Sequence, residues 1–214
     1  MPHNDRFVES SSKVLSPQLS EDEELWLSFK EGNKEAFSKI YATYFSSLYN
    51  YGAKITRDKD LIKDCIQDLF IDLWKGRKRM SATTSIKFYL YKSLRRKMVK
   101  EIESTSRYGI QESLNDNYNF EVIASAEFDL ITEQVDQEGK KAIINALNSL
   151  TRRQKEAIFL KYYENLSSAE VAHIMDLNLN STYVLLSKAI EVLRKNMIKL
   201  PSLVIYLIVL LRAG

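Results

Sequence analysis

Apolar residues recur every three or four positions along most of the chain, and few segments alternate with a period of two. Positions three and four apart share one face of an α-helix, so the pattern predicts an all-α protein. A first helix is predicted over about 21–30 and stops at the Gly32-Asn33 turn signal. A second starts near Lys34. Its residues Ala36, Phe37, Ile40, Tyr41, Tyr44, Phe45, Leu48 and Tyr49 form adjacent pairs one turn apart and predict a broad buried face. Those aromatic rings read as core rather than as a ligand pocket.

The third helix, about 58–75, pairs Leu61 with Ile62, Cys65 with Ile66, Leu69 with Phe70 and Leu73 with Trp74. Its other side carries Asp60, Asp64, Asp68 and Asp72, each four apart and so stacked in one stripe. Like charges at that spacing disfavour the isolated helix; a solvated face tolerates them and a basic partner rewards them. After the basic run Gly76-Arg77-Lys78-Arg79 and a polar loop, a fourth helix is predicted over about 85–102. It is the most basic segment, with Lys87, Lys92, Arg95, Arg96, Lys97 and Lys100, and it carries Phe88, Tyr89 and Tyr91 among the cations. Such a mixture suits single-stranded nucleic acid, where rings stack on bases and cations follow phosphates. A core helix with a solvated basic face fits the same residues.

Residues 104–127 lack strong periodicity and are rich in Ser, Asn, Asp and Glu, which predicts a flexible linker between two small helical domains, 21–103 and 128–199. In the second domain, Thr151 and Gln154 have capping-box spacing, as do Ser167 and Glu170. From Ser167 to Arg194 the chain reads as a short helix, a turn at Asp176-Leu177-Asn178 and a longer helix capped by Asn180 or Ser181, with Leu186, Ala189 and Leu193 facing inward. This is the shape of a helix-turn-helix, whose second helix lies in the DNA major groove. An ordinary helical hairpin has the same pattern.

Residues 1–20 read as a flexible tail without the apolar core of a signal peptide. The closing run Leu200 to Leu211 is apolar but shorter than the roughly 20 residues of a membrane-spanning helix, so no membrane span is expected. A buried helix packed on its own domain is the first reading of this run, a docking surface for another protein the second and a membrane contact the third. Composition narrows the picture further. The 214 residues have a formal net charge of only +3, so a nucleic-acid partner has to be argued from local charge. One cysteine, Cys65, excludes an internal disulfide framework and fits a reducing cytoplasm. Neither His3 nor His173 has an evident catalytic partner, and there is no Gly-rich phosphate loop, nucleophile–base pair or metal-ligand cluster. No enzyme activity, cofactor, metal or small-molecule substrate is expected.

Two separated stretches together resemble the extracytoplasmic-function sigma factors, small bacterial sigma factors of the sigma-70 family. The first comprises Gly32 to Phe37, Ile40-Tyr41, Asp64 to Trp74 and Tyr89 to Arg95. The second comprises Ala146-Leu147, Leu150, Arg153-Gln154, Glu170 to Ala172, Leu186, Lys188-Ala189 and Leu193-Arg194. The resemblance implies that Asp64, Gln67, Asp68, Phe70 and Trp74 dock on the clamp helices of the RNA polymerase β′ subunit, although Phe70 and Trp74 also fit a role in the core. It implies that Lys87, Tyr89, Tyr91, Lys92, Arg95 and Arg96 recognise and melt the minus-ten promoter element by taking a base out of the stack. It implies that Asn180, Ser181, Tyr183, Ser187 and Lys188 read the minus-thirty-five element as duplex. An anti-sigma partner and a cytoplasmic location follow from the same resemblance. The chain departs from the family's pattern at Arg96, often Asn, at Lys100, often Asp, and at Asp176, often Gly. Tyr183 and Leu185 stand where basic residues are usual, which predicts fewer phosphate contacts. The competing expectation is a helix-turn-helix regulator that acts on duplex DNA without polymerase.

Overall fold

The structure is a computed structural model that describes residues 19–83, 85–106, 118, 120, 121 and 137–196. The expected N-terminal tail except Leu19 and Ser20, most of the 104–127 linker, the start of the second domain before residue 137 and the apolar run 200–211 lie outside the described residues, as does His3. Every regular element among the described residues is helical, and no helix there is long and apolar enough to cross a membrane.

Local chemistry sets the helix starts. Helix α1 (Glu21–Lys30) opens on a capping box between Ser20 and Glu23. In α2 (Lys34–Ile55) the Asn33 side chain accepts from the Glu35 and Ala36 amides, after Gly32 has turned the chain at φ 95. In α3 (Lys59–Gly76) Asp58 accepts from Asp60 and Leu61. A 3₁₀ turn (Arg77–Arg79) and a loop lead to α4 (Ile86–Ser106), whose first amide donates to the Asp22 carboxylate of α1 at 3.0 Å. These four helices pack around Trp26, Phe29, Ile40, Ile66, Leu73 and Leu94, all buried. Close approach of α2 to α3 depends on Gly52, where an added Cβ would lie 2.8 Å from Ile62 Cγ2.

The second unit holds α5 (Gln137–Asn148), α6 (Arg152–Ile158), α7 (Ser168–Ile174) and α8 (Leu179–Asn196). Both expected capping boxes form, Thr151 with Gln154 and Ser167 with Glu170. Helix α6 continues into a π turn (Phe159–Tyr163), after which Asn165 takes φ 54. The α7–α8 turn is made by Asp176 at φ 53; a short polar side chain tolerates that left-handed conformation without glycine. The expected cap at Asn180 or Ser181 is corrected: α8 starts a turn earlier, with the Ser181 amide donating to Asn178 Oδ1 at 2.7 Å. Thr182 thereby falls on the buried face with Leu186, Ala189 and Leu193.

The uniform burial expected for α2 is also corrected. Tyr41 is 42% exposed, and Phe37 and Phe45 are only partly covered. Phe37 and Tyr41 meet Phe29, Phe70 and Trp74 along one side only, so these rings also form the wall of an open groove.

Candidate polymerase and nucleic-acid interface

Three surfaces arise from these helices. On α3 the carboxylates of Asp60, Asp64, Asp68 and Asp72 are all exposed. Asp60 lies 3.8 Å from Lys63 Nζ, and Asp72 accepts from Lys97 Nζ at 2.6 Å. Asp64 and Asp68, between them, form no ion pair among the described residues. Beside this stripe runs the groove between α2 and α3, lined by Phe37, Tyr41, Phe45, Gln67 and Trp74 with lysines at its rim. Gln67 is exposed and Trp74 half-buried, so both reach its surface. Phe70 does not stand out as expected for a docking side chain. It is 3% exposed, with its ring edge-on to Tyr41 at 4.8 Å and to Phe37 at 6.0 Å, because α2 packs directly over it; it forms the floor of the groove.

The second surface is α4, and here the structure divides the expected set. Lys92 and Arg96 are exposed, and Lys92 Nζ sits 5.6 Å from the Phe88 ring. Tyr89 is half-buried against Trp26, centroids 5.2 Å apart. Tyr91 and Arg95 do not face solvent as expected, Tyr91 packing on Tyr51 of α2 and Arg95 on the second unit, and Lys87, its side chain 31% exposed, is paired with the second unit. Lys87 Nζ donates to the Glu164 backbone oxygen at 2.7 Å and lies 2.9 Å from its carboxylate. Tyr91 is fully buried, its hydroxyl near Ser47 and Glu164 but without a hydrogen bond of ordinary geometry. Arg95 is 3% exposed and donates from Nε to Glu156 Oε1 at 2.9 Å.

Around Arg95 lies a closed polar network. Tyr51 donates to Glu156 Oε1 at 2.7 Å, Tyr118 donates to Glu156 Oε2, and Arg95 Nη2 donates to the Tyr118 hydroxyl at 3.1 Å. Asp176, from the α7–α8 turn, is 3.7 Å from Arg95 Nη1. Burial opposes the guanidinium charge, but the adjacent Glu156 outweighs it and holds the Arg95 pKa above its ordinary value. Burial, then the Glu156 charge, pushes the Tyr51 and Tyr118 hydroxyls well above theirs. Sequence reasoning missed Glu156, Glu164, Tyr51 and Tyr118. A signal existed for Glu156, a carboxylate beside Ala157 and Ile158 at an inward helical position, but its partners lie far away in sequence.

The third surface is the outer face of α8. Asn180, Ser181, Tyr183, Ser187 and Lys188 are all exposed, as are Leu179 and Val184. Of the remaining candidates, His173 is exposed with its ring 6.2 Å from Phe88. Cys65 is buried, and burial, followed by the Glu101 charge, pushes its thiol up to about 11, far from a reactive thiolate.

The Sigma-70 region 2 family model matches residues 40–108, and the Sigma-70, region 4 model matches residues 140–193, together more than half of the chain. The chain belongs to the sigma-70 family. Its relatives place it among the extracytoplasmic-function factors. It is 22% identical over 164 residues to the ECF RNA polymerase sigma factor SigK of Mycobacterium ulcerans, covering 76% of this chain and 86% of that one. It is 22% identical over 168 residues to the RNA polymerase sigma factor YlaC of Bacillus subtilis, covering 78% and 95%. In fold the sigma factor is similar to CnrH in its complex with the cytosolic domain of CnrY, with 18% identity, a TM-score of 0.54, and 81% and 95% of the two chains covered. It is similar as well to RpoE in complex with the anti-sigma factor NepR from Bartonella quintana, with 18% identity, a TM-score of 0.53, and 75% and 96% covered. The sigma factor therefore works with RNA polymerase and promoter DNA, and a regulator acting without polymerase is not favoured.

Proposed function

We propose a division of labour among the three surfaces. The α3 face bearing Asp64, Gln67 and Asp68, with Trp74 and the aromatic groove beside it, docks on the β′ clamp helices of core polymerase. The observation that carries this reading is the pair of exposed carboxylates of Asp64 and Asp68, without an ion pair among the described residues, next to exposed aromatic surface. Such a face gains from a partner with basic residues and apolar side chains.

Helix α4 engages the minus-ten element as it melts. The exposed cations of Lys92 and Arg96 reach phosphates and the half-buried Tyr89 offers its ring to an unstacked base, whereas Tyr91 and Arg95 are buried here and Lys87 is paired with Glu164. The outer face of α8 meets the minus-thirty-five element as duplex, with Asn180 and Ser181 at the base edges and Lys188 on a phosphate. Leu179, Tyr183 and Val184 add apolar surface suited to thymine methyl groups. The protein does this in the cytoplasm without catalysis of its own; the chemistry of RNA synthesis belongs to the polymerase. By similarity to the two factors seen with CnrY and NepR, an anti-sigma partner competes for these surfaces.

Run-off transcription with core polymerase on genomic fragments, followed by mapping of start sites, tests the reading. Specific starts that require both core and this chain are the expected result. Duplex binding without any core-dependent transcript would sink it.

A further inference from the structure

Tyr89, Lys92 and Arg96 lie at i, i+3 and i+7 of α4 and so share one stripe of its surface. Helix α1 holds the start of that stripe. The N-terminal amides of a helix have no partner within it. Here Ser85 Oγ accepts from the Phe88 amide at 3.1 Å, and Asp22 of α1 reaches across 64 positions to accept from the Ile86 amide at 3.0 Å. A carboxylate at that place also suits the helix dipole. One turn further along α1, the Trp26 indole N–H donates to the Ser81 backbone oxygen at 3.0 Å and ties down the loop before α4. The Trp26 ring, 1% exposed, backs the ring of Tyr89 with centroids 5.2 Å apart. The turn after α1 meets the other end of the same connection. A Cβ on Gly32 would lie 3.5 Å from Arg77 Nε, and Arg77 Nη1 donates to the Trp74 backbone oxygen at 2.6 Å. The entry to α4 is thus set by α1 as well as by its own loop.

We propose that Asp22 and Trp26 are positioning residues for promoter opening: they hold the backbone at Ile86 and Ser81 and the ring of Tyr89, so that an unstacked base of the minus-ten strand meets a stacking face already formed. They act through Tyr89 and the loop, not by touching the strand. A ring and loop ordered in the folded chain need not be ordered at the moment of binding, which lowers the entropic cost of capturing the base. This rests on the reading of α4 as the minus-ten surface, and the experiment separates the two.

The full-length chain is assembled with core polymerase on a promoter fragment found by run-off transcription. Permanganate reactivity of unpaired thymines reads the equilibrium for opening, and a fluorescence titration reads affinity for core polymerase. Trp26→Phe removes the indole N–H and keeps a ring in the core. Asp22→Ala removes the acceptor for the Ile86 amide, and Asp22→Asn keeps one. Tyr89→Ala removes the stacking ring. The equilibrium constant for opening should fall about fivefold in Trp26→Phe and in Asp22→Ala, the scale of one hydrogen bond, and by less in Asp22→Asn, with affinity for core polymerase unchanged. Trp26→Phe/Tyr89→Ala should lose less than the product of its two single losses, because one ring carries both effects. A loss in Tyr89→Ala with none in Trp26→Phe or Asp22→Ala overturns the positioning role and leaves α4 at the minus-ten element. No loss in Tyr89→Ala overturns the stacking role of Tyr89 and the positioning with it. Losses that multiply in the double variant, or an affinity for core polymerase that falls as far as opening does, make the role of α1 merely structural and overturn the proposal. If circular dichroism shows that Trp26→Phe does not fold, the half-buried Asp22 decides: a loss in Asp22→Ala that Asp22→Asn restores supports the proposal, and equal opening in the two overturns it.

Discussion

Arg95 of α4 and Glu156 of α6 are joined at 2.9 Å with both side chains almost wholly out of water, although 61 positions separate them in sequence. Two charges in that setting are tolerable only together, and the Tyr51 and Tyr118 hydroxyls satisfy the carboxylate's other lone pairs. Glu156→Ala strands the guanidinium and should cost about 3–5 kcal/mol in urea unfolding. Arg95→Met/Glu156→Leu should lose far less than the sum of its single variants. A Glu156→Ala cost below about 1 kcal/mol, as for a surface pair, would show that the pair is wet.

Asp64→Lys/Asp68→Lys should weaken binding to core polymerase by tenfold or more, the order expected when complementary charges become like charges at an interface. Both carboxylates are exposed and form no ion pair among the described residues, so the thermal midpoint should hardly move. Unchanged affinity in a fluorescence titration with core polymerase would move the docking face elsewhere.

Lys92→Ala/Arg96→Ala tests α4 through its exposed cations and avoids the structural damage expected of any change at Arg95. Open-complex formation, read by permanganate reactivity of unpaired thymines, should fall more than affinity for polymerase. Equal losses in the two measurements would remove α4 from promoter melting.

Alkaline pH should unfold the chain through its phenols. Burial first, and then the Asp22 charge, pushes the Tyr44 hydroxyl from 10.0 up to about 12, and Tyr51, Tyr91 and Tyr118 are held above the ordinary value too. The fold favours the neutral phenol. Its contribution is therefore complete below the unfolded pKa near 10 and is lost as pH rises through the raised folded values. Thermal midpoints should be flat between pH 8 and about pH 9.5 and should decline above about pH 10. Absorbance at 295 nm should show part of the tyrosine titration delayed until unfolding. A single unperturbed titration near 10 would contradict this burial.

Gly52→Ala should destabilise by about 1–3 kcal/mol, because its Cβ would meet Ile62 Cγ2 at 2.8 Å in the α2–α3 contact. Gly52→Ala/Ile62→Ala, which removes the Cγ2 that the new Cβ meets, should lose less than the sum of its single variants in the same chemical unfolding assay.

Periodicity and capping chemistry, which are local, determined most of the helices. Ser20, Asn33, Asp58, Thr151 and Ser167 cap where a side-chain oxygen meets the first free amides, and those few residues carry all the information needed. The same holds for the acidic stripe of α3 and the exposed set on α8, since a helix alone decides which residues share a face. The left-handed turn at Asp176 was legible too, because an Asx side chain supports that conformation. Which faces meet one another was not legible. Phe70 fitted both core and contact and became a groove floor, Tyr41 looked like core and became groove wall, and Arg95 looked like a DNA contact and became half of a buried pair. Tyr118 and Phe120 sat in a stretch with no pattern at all. Their roles depend on Glu156, Tyr51 and Phe159, distant in sequence and adjacent only after the two units close. A one-dimensional pattern records how a residue relates to its own helix, whereas burial and pairing across helices depend on docking, and only the tertiary structure decides that.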